Sequence, residues 1–211
     1  MIQLIVDFIL ELDKLKAVLR KVRPTGLDRY ENSAEHSWQI ALLAISLAPY
    51  APNPIDLNRV VVMLLVHDIG EIDTGDTMFY VEGGWEERKA AELAAIRRIF
   101  HRLPEGRGEY FVELWQEFES GSSEDARFAR MADRAMPVLL NLANGGGSWR
   151  EHGIGYEQVV RRISLPIKAG CPVLWEYLEK RLGEARDRGL FLTNPQCPVP
   201  PGDDKPLGGT K

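Results

Sequence analysis

The stretch VVVMLLVHDIGEIDTGDT, Val60 to Thr77, constrains this chain more than any other part of it. Seven consecutive apolar residues, Val60 to Val66, run directly into His67 and Asp68, and Glu71, Asp73 and Asp76 follow. A helix this apolar has to be buried against other elements. Its end nevertheless carries one imidazole and four carboxylates, which are costly to bury unless they are paired or bound to a cation. The sequence therefore predicts a core built around this helix and a polar pocket at its end, with His67 and Asp68 on the floor and the later acids at the mouth. The run is far shorter than the roughly 20 residues of a membrane span.

The rest of the chain has to supply the enclosing elements, and nearly all of it carries helical spacing. Apolar residues at Ile5, Phe8, Ile9, Leu12, Leu15 and Leu19 predict a first helix over residues 2–22. Asn32 followed by Glu35 fits a capping box at the start of a helix over 34–48. Asp56 is a suitable N-cap for the apolar helix, predicted over 57–69. Further helices are predicted over 85–101, 104–118, 124–142, 156–167 and 172–188, with a loop at 70–84 and a break at the NGGGS of Asn144 to Ser148. No segment shows sustained alternation of apolar and polar residues. The expectation is an all-α helical bundle, one domain over residues 1–192, followed by a mobile Pro/Gly-rich tail over 193–211.

Composition excludes some functions. With 26 basic and 31 acidic residues, net charge −5, there is no basic surplus to neutralise a nucleic-acid backbone. Cys171 and Cys197 have neither disulfide-framework nor zinc spacing. The N-terminal MIQLIVDFILELDKLK carries acids through its apolar stretch and reads as an amphipathic helix, not a signal peptide. No membrane and no nucleic-acid partner is expected, and the expected location is cytoplasmic.

Chemistry concentrates in a few residues. Of the four histidines, His101 and His152 sit in polar surroundings, whereas His36 opens a predicted helix and His67 closes the apolar one. Asp133 interrupts an apolar face made by Phe128, Met131, Ala132, Ala135, Met136 and Leu139. Alone, it would pair with Arg130 or Arg134. Together, His36, His67, Asp68 and Asp133 offer two imidazoles and two carboxylates from three helices. Such a mixed nitrogen and oxygen set suits Mn, Fe, Co, Ni or Zn better than Ca or Mg. Glu71 lies four residues after His67 and three after Asp68, on the same side if the helix continues. Arg20, Lys21 and Arg23, in LRKVRPTG, are the cations nearest in sequence for a phosphate; as a simple alternative, they complement the dipole at a helix end.

The segments ENSAEHSWQIALLA, HDIGEIDTGDT and ARFARMADRAMPVLLN resemble the HD-domain metal-dependent phosphohydrolases, and most closely the branch containing the 5'-deoxynucleotidases. The resemblance covers roughly residues 10–165. It implies an HD-type bundle holding one divalent transition metal on His36, His67, Asp68 and Asp133. It implies Glu71 as the carboxylate beside the activated water, Asp76 as a residue that contacts the sugar or handles a proton, and Arg20 as the phosphate ligand, aided by Lys21 and Arg23. Lys21 stands where that branch carries a tryptophan that helps to choose deoxyribose. The implied reaction is hydrolysis of a deoxynucleoside 5'-monophosphate to nucleoside and phosphate, by a homodimer. The alternatives are an HD phosphohydrolase acting on a nucleoside triphosphate, cyclic nucleotide or guanosine polyphosphate, or a metal-holding interaction module without activity.

Overall fold

The computed structural model describes residues 1–80 and 84–192, apart from the side chain of Glu105. The expected tail, with Cys197, lies outside the described residues. Those residues form ten α-helices and no strand beyond one isolated antiparallel bridge, Leu19 with Asn32. The helices are α1 (Ile2–Leu12), α2 (Ser33–Leu47), α3 (Leu57–Val66), α4 (Glu71–Thr74), α5 (Trp85–Phe100), α6 (Arg107–Ser120), α7 (Glu124–Ala143), α8 (Gly147–Glu151), α9 (Tyr156–Gly170) and α10 (Pro172–Asp187). Among the described residues no helix is long and apolar enough to cross a membrane.

Local chemistry sets the start of the site-bearing helices. The capping box at α2 is complete: Asn32 accepts from the Glu35 backbone N–H, and the Glu35 carboxylate accepts from the Asn32 N–H. Asp56 caps α3 by accepting from the N–H groups of Asn58 and Arg59. Asp125 ties α3 to α7, accepting from the Asp56 N–H at 2.8 Å and from Arg59 Nε at 3.2 Å.

The 20-residue α7 is the central element, with α2, α3, α6 and α9 packed against it. Its approach to α9 depends on Gly170, where a Cβ would lie 2.4 Å from Met131 Cβ. The apolar run of α3 is shared between two cores. Val60, Met63 and Leu64 join the main one with α2, α7 and α9, while Val66 joins Phe8, Leu15, Ile96, Ile99, Phe100 and Trp115 in a smaller one. Leu65 is 47% exposed, so the enclosure of α3 is incomplete.

Three segments differ from expectation. The first helix ends at Leu12, passes through a 3-10 segment at Asp13–Ala17 and becomes extended at Val18. There the backbone pairs with the chain entering α2: Arg20 N–H to Glu31 O at 2.9 Å, Glu31 N–H to Val22 O at 2.9 Å and Ser33 N–H to Val18 O at 3.0 Å. Arg20, Lys21 and Arg23 therefore do not sit at a helix end. Helix α3 stops at Val66 with His67 as its C-cap, and α4 follows within the expected loop. The expected break at Asn144 to Ser148 partly folds as α8.

Candidate metal centre and cavity

Helices α2, α3 and α7 each deliver one group to a common point. His36, in the first turn of α2, His67, at the end of α3, and Asp133, in mid-α7, are all buried. Their ligand-capable atoms lie within 4.8 Å of one another. His36 Nε2 is 3.1 Å from Asp133 Oδ1, and His67 Nε2 is 3.7 Å from the same oxygen.

The second nitrogen of each ring defines what the first can do. His67 Nδ1 lies 2.9 Å from Leu64 O, and a carbonyl only accepts, so Nδ1 carries a hydrogen. His67 is held further by Trp115 Nε1, which donates to the His67 backbone carbonyl at 2.9 Å. His36 Nδ1 faces Glu31 Oε1 at 3.5 Å. The carbonyl bond orients His67 to give its other nitrogen to a metal, whereas His36 Nδ1 faces its carboxylate without a formed hydrogen bond.

Asp68 Oδ1 lies 2.9 Å from His67 Nε2, yet that nitrogen makes no well-aligned hydrogen bond. A buried ring nitrogen thus faces two carboxylates, and a cation between them satisfies all three. In the metal-free protein a proton takes that place. Burial alone would lower the His67 pKa, but Asp68 and Asp133 together raise it to about 10. The donor set, two nitrogens with carboxylate oxygens, fits a divalent transition metal.

Asp68 faces two ways, because its Oδ2 accepts from Arg20 Nη1 at 2.6 Å. Burial would raise its pKa, but His67 and Arg20 hold it down at about 2. Arg20 also lies 3.4 Å from Glu31 Oε1 and 3.7 Å from Asp76 Oδ1. It is the shared countercharge of three acids from three segments.

Glu71 reaches the site although it belongs to α4. The turn between the helices is tight, with Ile69 N–H to Val66 O at 3.2 Å and Glu71 N–H to Asp68 O at 3.0 Å. Its carboxylate is buried, and Oε2 accepts from Ser33 Oγ at 2.6 Å. Burial first, then the Asp68 charge, pushes the Glu71 pKa well above the ordinary range. Asp76, after the left-handed Gly75, is raised as well, by burial, against the opposing pull of Arg20.

These residues open into a cavity of about 350 Å³. Arg20, Lys21, His67, Asp68, Glu71, Asp76 and Asp133 line it. Arg23 does not. It pairs with Glu151 at 3.2 Å and Asp28 at 3.4 Å and lies over the Tyr30 ring, outside the cavity where a phosphate contact was expected of it. The physical reason is the extended path of residues 18–22, which sends Arg20 and Arg23 to different surroundings. His101 is exposed, in keeping with its polar surroundings in the sequence, and Trp115, Trp149 and Trp175 are buried. Trp38 is 62% exposed.

Two residues of the site were not singled out from the sequence: Glu31, which backs His36 and Arg20, and Ser33, which holds Glu71. Ser33 carried a signal, since it lies three residues before His36 and so shares its face of the helix. Glu31 precedes the N-cap, and only the pairing with residues 20–22 places it.

The HD domain family matches residues 12–175. The chain belongs to the HD domain family. A crystal structure titled as a predicted metal-dependent phosphohydrolase from Magnetospirillum magnetotacticum is 39% identical, with a TM-score of 0.85 over 91% of this chain and 96% of that one. The 5'-deoxynucleotidase HDDC2 of Homo sapiens is 29% identical over 136 residues, 62% of this chain and 65% of the relative. The 5'-deoxynucleotidase YfbR of Salmonella newport is 25% identical over 145 residues, 65% of this chain and 72% of the relative. The match spans less than two thirds of the mouse and human HDDC2 relatives, 64% and 65% of their length. Within the HD domain family, the likeness is to metal-dependent phosphohydrolases, and the all-α architecture agrees with it.

Proposed function

We propose that this chain is a metal-dependent phosphomonoesterase that hydrolyses deoxynucleoside 5'-monophosphates to deoxynucleoside and phosphate. The observation that carries the reading is one cavity where His67 and Asp133, grouped with the buried His36, adjoin a hydrogen-bonded carboxylate, Glu71, and the guanidinium of Arg20. His36, His67, Asp133 and Asp68 would hold the metal. A divalent ion there supplies Lewis-acid activation of a phosphoryl oxygen and of water.

The chain's own residues do the rest. Ser33 fixes one oxygen of Glu71, leaving the other to orient the attacking water and take its proton. The water oxygen forms a bond to phosphorus, and the bond from phosphorus to the 5' oxygen breaks. Asp76, whose pKa burial raises, is the group suited to return a proton to that oxygen. Arg20 and Lys21 offset the charge of the phosphate.

The 5'-deoxynucleotidase names of the HDDC2 and YfbR relatives support the substrate class. Cytoplasmic location and a homodimer belong to the same proposal; light scattering of the purified protein measures the second.

The test is phosphate release from a panel of nucleotides by protein stripped of metal and reloaded with Mn, Co, Fe, Ni or Zn. Wild type, His67→Ala and Glu71→Ala are compared. Phosphate from deoxynucleoside monophosphates, lost in both variants while Glu71→Ala keeps its metal, is the expected result. Pyrophosphate or another product, with every monophosphate inert, overturns the substrate assignment.

A further inference from the structure

The cavity continues beyond the metal group along α7. Asp133, Pro137 and Asn141 are spaced by four residues and lie on one face of that helix, and all three line the cavity. Eight residues of helix carry the wall about 12 Å from the metal group. Phe79, Tyr80, Ile154 and Ile163 line the same cavity, together with Arg134, Ser148, Trp149 and Arg162. Phe79 is held as a plate by Arg134, whose guanidinium carbon sits 3.6 Å from the ring centroid.

Asn141 contributes an amide to this lining. It is only 4% exposed, and its Nδ2 donates to Pro137 O at 3.0 Å. A carbonyl needs a donor, so this bond fixes the amide's orientation and makes the other atom the acceptor Oδ1. Oδ1 is buried and has no hydrogen-bond partner. A buried acceptor without a donor is uncommon and calls for a ligand or water.

We infer that Asn141 is the base-reading residue of this site, its Oδ1 accepting an N–H from the edge of the substrate's nucleobase. The inference rests on the nucleotide reading above. The distance along α7 selects the base, because the sugar hydroxyls lie only a few bonds from phosphorus. The chemistry selects a donor, and natural bases present N–H groups on their pairing edges. Phe79 and the aliphatic wall suit the flat faces of the same ring.

The experiment uses the metal-loaded protein, as wild type and Asn141→Leu. Its probes are thymidine monophosphate with the N3-methyl analogue, deoxyadenosine monophosphate with the N6,N6-dimethyl analogue, and 2-deoxyribose 5-phosphate. In wild type, methylation should lower kcat/KM by about tenfold or more in at least one pair. Asn141→Leu should erase that ratio and leave 2-deoxyribose 5-phosphate unchanged. An unchanged ratio, no ratio in wild type, or an equal loss on 2-deoxyribose 5-phosphate overturns the inference. Asn141→Ala serves the same comparison if thermal melting shows that the leucine variant is unfolded. Should no phosphoester be turned over, the functional reading fails separately. The methylated and unmethylated nucleosides are then titrated by tryptophan fluorescence. Discrimination in wild type that Asn141→Leu removes sustains the role of Asn141, and equal or absent binding refutes it.

Discussion

Metal and proton compete for His67, and the geometry gives the size of that competition. Asp68 and Asp133 hold the metal-free imidazole protonated up to about pH 10, against an ordinary value of 6.5. A metal must displace that proton to reach Nε2. At pH 7.5 the gap to about 10 corresponds to about 3 kcal/mol, at about 1.4 kcal/mol for each pH unit. The apparent affinity should therefore tighten about tenfold for each unit from pH 7 to pH 9 and level off near 10. Stability moves the other way in the metal-free protein. A folded pKa above the unfolded one gives stability that is fully present below about pH 6.5 and is lost as the pH rises through about 10. Calorimetric titration with Co²⁺ in two buffers of different ionisation enthalpy measures both affinity and protons released. About one proton per metal is expected at pH 8. A dissociation constant that stays flat between pH 7 and 9, with no proton released, would refute the placement of His67 between two carboxylates.

Three further predictions follow from single contacts. Replacing Ser33 by Ala removes the donor that lowers the Glu71 pKa, so the acid limb of the pH profile of kcat/KM should move to higher pH while metal content stays unchanged; an unmoved limb counts against Glu71 as the base. Arg20→Met leaves Glu31, Asp68 and Asp76 without their shared cation, and urea unfolding in chelator should show a loss of about 3–5 kcal/mol. Saturating metal should recover part of that loss, which links Arg20 to the charge of the site. Gly170→Ala drives a methyl group into Met131 and should cost about 1–3 kcal/mol in urea with kcat little changed, because α9 backs α7 away from the chemistry.

Much of this architecture was legible in the residues. Helix periodicity, the capping box at Asn32 and the Asp56 cap are local properties, and local hydrogen bonding decides them. Buried carboxylates are equally telling: Asp133 on an apolar face and Asp68 after an apolar helix announce a cation, because an isolated charge there is too costly. The residues alone thus group His36, His67 and Asp133.

What the tertiary structure alone decided were relations between segments far apart in the chain. Residues 2–22 have a continuous helical pattern, yet the backbone of Val18, Arg20 and Val22 pairs with the approach to α2 and draws the helix out. Periodicity records which faces are apolar; it does not record a competing hydrogen-bond partner a dozen residues later. The same pairing sends Arg20 into the acidic site and Arg23 to Glu151, although the two cations look equivalent in sequence. Glu31 and Ser33 acquire roles only because α4 and residues 18–22 come to rest against the start of α2. Asn141 likewise reads as one more polar residue at the end of a helix. Its significance depends on burial and on an amide oxygen left without a donor, and packing alone determines both.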